Sequence, residues 1–301
     1  MKIFILFPGF GSSEKEWEYK VINKNKKYIR TKINFLEKLK KLGKVYTYTP
    51  KIHDIMGHYW TTKDVKQTKK YSWFFKKPVP ITLDDINIDK ECKRIYQLLT
   101  EKYKKDKLEF IPIGHSIGSH YALHFSNLYP SKCLKMIFLD GTFITSELGN
   151  NLYKNDKQRQ KIKSKDITNT NLKYLFDKMI ENLKENRYKL NKVVNKYIDK
   201  MMYVTFAHYY QIIKKELNGK VKVPLISFRR MKYDIDKTKN NLKSNKRNMK
   251  SVKEEEELYK QNSNKVQVHY LINSSHYPFT KQRYSDQIIE EIKKSLQVDK
   301  I

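Results

Sequence analysis

Cysteine is nearly absent from this chain: two residues, Cys92 and Cys133, in 301. Two thiols cannot staple a chain of this length, and their positions match no metal-ligand spacing. A reducing, cytoplasmic setting is therefore expected. Long apolar runs are also lacking, and none of those present is long enough to cross a bilayer. Met1–Phe10 has a lysine before a short apolar run, as a leader peptide does. The run stops at Pro8-Gly9 with no small-residue cleavage site after it, so a buried strand is expected there instead.

Acidic residues and arginine are both sparse. There are 32 Asp and Glu against 63 Lys and Arg, for a formal net charge of +31, and only 8 of the 63 bases are arginine. A polyanion partner is the first reading of such a charge. Nucleic-acid recognition, however, favours the planar guanidinium fork, and here lysine dominates. The bases are also spread along the chain. A compositional bias on a solvated surface is the plainer account, with only weak, non-specific attraction to nucleic acid.

Glycine is rare as well, at nine residues, and four of them fall in two short segments. Those segments sit in a regular alternation of strand and helix patterns. Strands are expected at Lys2–Phe7, Lys44–Thr49, Leu108–Ile113, Leu134–Leu139, Val221–Phe228 and Val266–Ile272. Several are apolar throughout, as strands buried on both faces of a mainly parallel sheet must be. Helices are expected over Thr31–Leu42, closed by Gly43, and over Asp84–Lys105. A final helix, capped by Ser285, carries Ile288, Ile289, Ile292 and Leu296 on its inner stripe. The pattern is that of a single α/β domain with a doubly wound sheet. Residues 146–218 hold only helical pattern and are expected to form an insertion. Residues 237–264 are polar and low in complexity and are expected to form a solvated excursion.

The central motif is Gly114-His115-Ser116-Ile117-Gly118. It follows an expected strand and opens an expected helix, the context of a G-x-S-x-G nucleophile elbow. With nine glycines and 17 serines, random order would give about 0.015 such pentapeptides in the whole chain. The tight turn leaves no room for side chains at the flanking positions. It lifts the serine Oγ above the sheet, where helix amides face a developing negative charge.

The other glycine-rich segment, Phe7-Pro8-Gly9-Phe10-Gly11-Ser12-Ser13, ends the first strand. With it the chain resembles the α/β-hydrolase superfamily, over about residues 1–145 and 219–301. Pro8 stands where that superfamily usually has histidine. The resemblance implies an α/β-hydrolase fold with residues 146–218 as a helical lid. It implies an oxyanion hole made by the amides of Phe10 and Ile117, and a catalytic base at His276 in Ser275-His276-Tyr277-Pro278-Phe279. It further implies an acid after the strand VKVPLISF, where Asp234 is nearest the expected spacing and Asp236 follows. Asp140, at the end of LKMIFLD, is the alternative, because some members draw the acid from that strand. The chain order Ser116, Asp234, His276 is that of the superfamily.

These residues imply a serine hydrolase acting through an acyl-enzyme, a chemistry that needs neither cofactor nor metal. Tyr197–Ile213 is dense in apolar residues, which as a lid lining fits a small-molecule ester with a hydrophobic part; packing of the lid onto the body is an equal account. Thioester, peptide or carbon–carbon bond cleavage on the same fold is an alternative, as is a non-enzymatic polyanion- or partner-binding protein on a retained scaffold. His120 and His124, four apart on one helix, have no third ligand in view and are expected to pack or face solvent. His53 and His58 are candidates for the pocket wall. Lys69–Lys77 mixes aromatics and bases, as peripheral membrane segments do, although a loop pinned by its aromatics is the plainer reading.

Overall fold

The computed structural model describes residues 1–9, 14–22, 27–30, 33–50, 87–104, 107–141, 221–231, 256–257, 259–260 and 265–298. The expected lid, Tyr197–Ile213, Lys69–Lys77, His53 and His58 lie outside them, as does most of 237–264.

Among the described residues six parallel strands form one sheet, in the order β4-β1-β5-β6-β7-β8. They are β1 (Lys2–Phe7), β4 (Lys44–Thr47), β5 (Glu109–His115), β6 (Met136–Leu139), β7 (Leu225–Met231) and β8 (Val266–Ile272). All six expected strands are present, and β1 and β8 have the expected bounds. A small antiparallel hairpin, β2 (Tyr19–Ile22) with β3 (Lys27–Arg30), was not foreseen.

Side-chain alternation along β1 accounts for the layers. Ile3, Ile5 and Phe7 join the core on one face, and Phe4 and Leu6 join the core on the other. On the first face lie α2 (Ile88–Tyr103) and α3 (Gly118–Leu128), with Ile88, Cys92, Ile95, Leu99 and Tyr121 fully buried. On the second lie α1 (Phe35–Lys40) and α4 (Gln282–Val298), which bury Phe35, Leu39, Ile288 and Ile292 completely. Helices on both faces of a parallel sheet make the fold α/β and doubly wound, as expected.

Local chemistry sets the boundaries. The Asn87 side chain accepts from the amides of Asp89 and Lys90 and starts α2. Pro112 lies inside the central strand β5. Its nitrogen faces the same side as that of Phe110, whose amide donates to Lys132 before β6 begins. Phe110 bridges to Cys133 and pairing is taken up again at Ile113 with β6, so the proline, which has no amide hydrogen to donate, sits at the break between the two. The cap expected at Ser285 is corrected. The helix begins at Gln282, and the buried Ser285 is already within it, its amide donating to the Lys281 carbonyl.

Candidate active site

Four chain segments leave the carboxyl ends of β1, β5, β6 and β8 and meet around Ser116. The turn after β5 is the tightest. Ser116 has φ 52°, in the left-handed region that costs an ordinary residue about 1–3 kcal/mol. Its amide donates to the Leu139 carbonyl of the next strand at 3.2 Å. A Cβ at Gly114 would fall 2.4 Å from backbone atoms of Gly118 and Ser119, and one at Gly118 would fall 2.2 Å from the Phe7 carbonyl. Neither glycine can be replaced without moving backbone. Ile117 caps α3, so its amide stands at the helix start, where no intrahelical carbonyl is available. Ser116 itself is half-buried.

His276 lies in the turn between β8 and α4, 35% exposed at its side chain, with Nδ1 2.5 Å from Asp140 Oδ2. The place expected for Asp234 is therefore filled by the alternative, Asp140, while Asp234 and Asp236 lie outside the described residues. The physical reason is the turn after β6. Asp140 has φ 46° and its amide donates to the Phe228 carbonyl of β7 at 2.7 Å. That turns the carboxylate over the end of β7 toward the loop after β8.

Asp140 is held from β7 as well. The Arg230 amide donates to Oδ1 at 3.2 Å, and Arg230 Nε lies 3.0 Å from Oδ2. Arg229 donates to the Gly141 carbonyl at 2.7 Å and stands 3.8 Å from Asp140 Oδ1. Two of the eight arginines thus flank one buried carboxylate. Arg–carboxylate geometry suits this role better than a lysine point charge would. Adjacent arginines in a lysine-rich chain are the signal by which the sequence marks this carboxylate.

A second buried pair lies behind the histidine. Glu16, in the 3-10 turn Glu14–Trp17, has Oε1 3.0 Å from His115 Nδ1, and the same oxygen accepts from the Gly9 amide at 3.0 Å. His115 Nε2 lies 2.7 Å from the His276 carbonyl oxygen, and the two imidazole rings are 4.7 Å apart. His115 is wholly buried. Burial alone would push its imidazolium pKa down; the Glu16 charge and hydrogen bond, the His276 carbonyl and Asp140 together outweigh it, and the net shift is upward. Nothing in the sequence marked Glu16.

Phe10, the other expected oxyanion donor, lies outside the described residues, next to the described Gly9. His120 and His124 are buried on α3, and His124 Nε2 meets Asp89 Oδ1 of α2 at 3.2 Å. Among the described residues no group of three or more His, Cys, Asp or Glu is placed to hold a metal. Also among them, no helix is long and apolar enough to cross a membrane.

No family model matches the sequence, and no curated protein matches it. Solved structures do. A carboxylesterase from Nitrososphaera gargenis is similar, with TM-score 0.48 and 12% identity over 98% of this chain and 91% of that one. A lipase-esterase related protein from Clostridium acetobutylicum gives TM-score 0.46 and 14% identity over 97% and 93%. An epoxide hydrolase gives TM-score 0.46 and 12% identity over 99% and 92%.

Proposed function

We propose that this chain, which has the α/β-hydrolase fold, works as a serine hydrolase of carboxylic esters, with Ser116 as nucleophile, His276 as base and Asp140 as the orienting acid. The observation that carries the reading is the His276–Asp140 hydrogen bond, formed at the same strand ends as the strained glycine-bounded turn of Ser116.

His276 takes the Ser116 proton as Oγ attacks the ester carbonyl carbon. The Asp140 carboxylate fixes the imidazole with its proton on Nδ1, leaving Nε2 free to accept, and stabilises the imidazolium that forms. The Ile117 amide, with that of Phe10, receives the oxyanion. The alcohol leaves with the proton from His276. Water, deprotonated by the same imidazole, then releases the acid from Ser116.

A fluorophosphonate probe tests this directly. The purified protein gains one phosphonate on the peptide containing Ser116, and Ser116→Ala abolishes the adduct while the protein stays folded. A folded but unlabelled wild type overturns the reading. An ester panel graded by acyl length then tests the hydrophobic preference expected from Tyr197–Ile213.

A further inference from the structure

We infer that Glu16 and His115 form a proton-dependent lock that positions both the His276 turn and Gly9 at the end of β1. The inference rests on the serine-hydrolase reading and adds two positioning residues to it. Neither is a catalytic residue, since both act through the groups they hold.

Donor and acceptor accounting gives the proton. The His276 carbonyl oxygen can only accept, so His115 Nε2 must carry a hydrogen to make its 2.7 Å contact. The 3.0 Å contact between His115 Nδ1 and Glu16 Oε1 then needs a hydrogen of its own. Imidazolium with carboxylate satisfies both contacts, and so does neutral imidazole with carboxylic acid. Either way the pair holds one proton more than a neutral imidazole beside a carboxylate. If that proton is lost, two acceptors face one another in a buried site, at Nδ1 or at Nε2, and one contact must open.

Both ends of the lock matter for the proposed chemistry. One end is the main chain of His276, whose ring must stay aligned with Asp140 and Ser116. The other is the Gly9 amide, which donates to Glu16 Oε1; Gly9 directly precedes Phe10, the proposed oxyanion donor, in the sequence. His115 itself adjoins Ser116, so three loops are tied through one imidazole. The packing leaves little freedom. A Cβ at Gly9 would lie 2.9 Å from His115 Nδ1, and Trp17, Tyr277 and Phe279 pack around the ring. Among the described residues the titratable groups facing His115 are Glu16, His276, Tyr277 and Asp140, the last flanked by Arg229 and Arg230. The upward shift of the His115 pKa from 6.5 agrees with the retained proton. Its sign gives the window: the lock is closed below pH 6.5 and opens as pH rises through the raised value.

The test is the pH profile of Glu16→Gln with p-nitrophenyl butyrate as substrate. Glutamine lacks the charge that keeps the buried ring protonated, so the ring is neutral with its hydrogen on Nε2: a glutamine oxygen at the Oε1 position then serves Gly9 but receives nothing from Nδ1, and a glutamine nitrogen there serves Nδ1 but not Gly9. The expected result is a kcat lower on the order of tenfold to a hundredfold, with KM within about twofold. The alkaline fall in wild-type kcat disappears in the variant, because its one remaining tie no longer titrates. Glu16→Asp keeps the exchangeable proton and retains the alkaline fall. A Glu16→Gln profile that superimposes on the wild type overturns the lock. If Glu16→Gln does not fold, nitrogen-15 NMR of the wild-type histidines with carbon-13 NMR of the Glu16 carboxyl decides: at about pH 6 a His115 ring protonated at both nitrogens, or at Nε2 beside a protonated Glu16 carboxyl, supports the lock, and a neutral ring beside an ionised carboxyl overturns it. A wild type that neither turns over nor takes the phosphonate overturns the hydrolase reading, and the lock falls with it. An active, labelled wild type with an unaltered Glu16→Gln overturns the lock alone.

Discussion

At the scale of single residues, two assignments separate cleanly by mutation. The proposed role of Asp140 acts in the transition state, so Asp140→Asn should cut turnover by roughly 10³–10⁴ with substrate affinity nearly unchanged. Asp234→Asn should cost far less; steady-state kinetics on both variants decides. The backbone at Ser116 supplies another test. Its φ of 52° is costly for serine and free for glycine. Ser116→Gly should therefore abolish phosphonate labelling and yet raise the melting temperature by about 2 °C. Calorimetry showing a lower melting temperature would contradict the strain. The elbow was legible in the sequence because sterics there dictate residue type: only glycine fits at 114 and 118, so the pattern reports the geometry. The carboxylate that meets His276 was not so legible. A carboxylate can reach His276 Nδ1 from either of two neighbouring strand ends, and what selects Asp140 is its φ of 46° and its bond to the Phe228 carbonyl. Neither leaves a mark on residue type. Glu16 is invisible for a similar reason, being 99 positions from His115 in sequence.

The elements around the His276 turn are held by aromatics. Phe279, in the 3-10 turn Pro278–Thr280, packs 4.7 Å from Trp17 and 5.7 Å from Phe35, ring centre to ring centre. This joins the loop of His276 to the turn that carries Glu16 and to α1. Phe279→Ala should cost about 3–5 kcal/mol by opening a cavity, and so lower the melting temperature by about 5–8 °C. The variant should lose kcat as well, because the histidine and Glu16 share that support. A thermal loss with full activity would show that the cluster stabilises the fold without positioning the site. The strands and the final helix were readable from periodicity, since burial on both faces demands long apolar runs and α4 buries one stripe. The β2–β3 hairpin was not. Its strands are four residues each and carry no alternating pattern strong enough to separate them from a loop.

For the whole molecule, the charge of +31 carries its own expectation. If the lysines form a solvated surface, binding to duplex DNA should vanish near physiological salt and show no sequence preference, as a titration by fluorescence anisotropy would register. Tight, saturable binding at that salt would restore a polyanion partner. The strand order has a consequence of another kind, in time. β1 lies between β4 and β5, Ser116 follows β5, and the proposed acid Asp140 follows β6, so a growing polypeptide can assemble four adjacent strands and both of those residues early. The proposed base, His276, follows β8, about 160 residues after Ser116. At translation rates of roughly 5–20 residues per second, that interval lasts about 8–32 s. On the proposed assignment, the nascent protein holds Ser116 throughout it without the residue proposed to take its proton, and competence for the proposed hydrolysis waits for β8 and the turn that follows it.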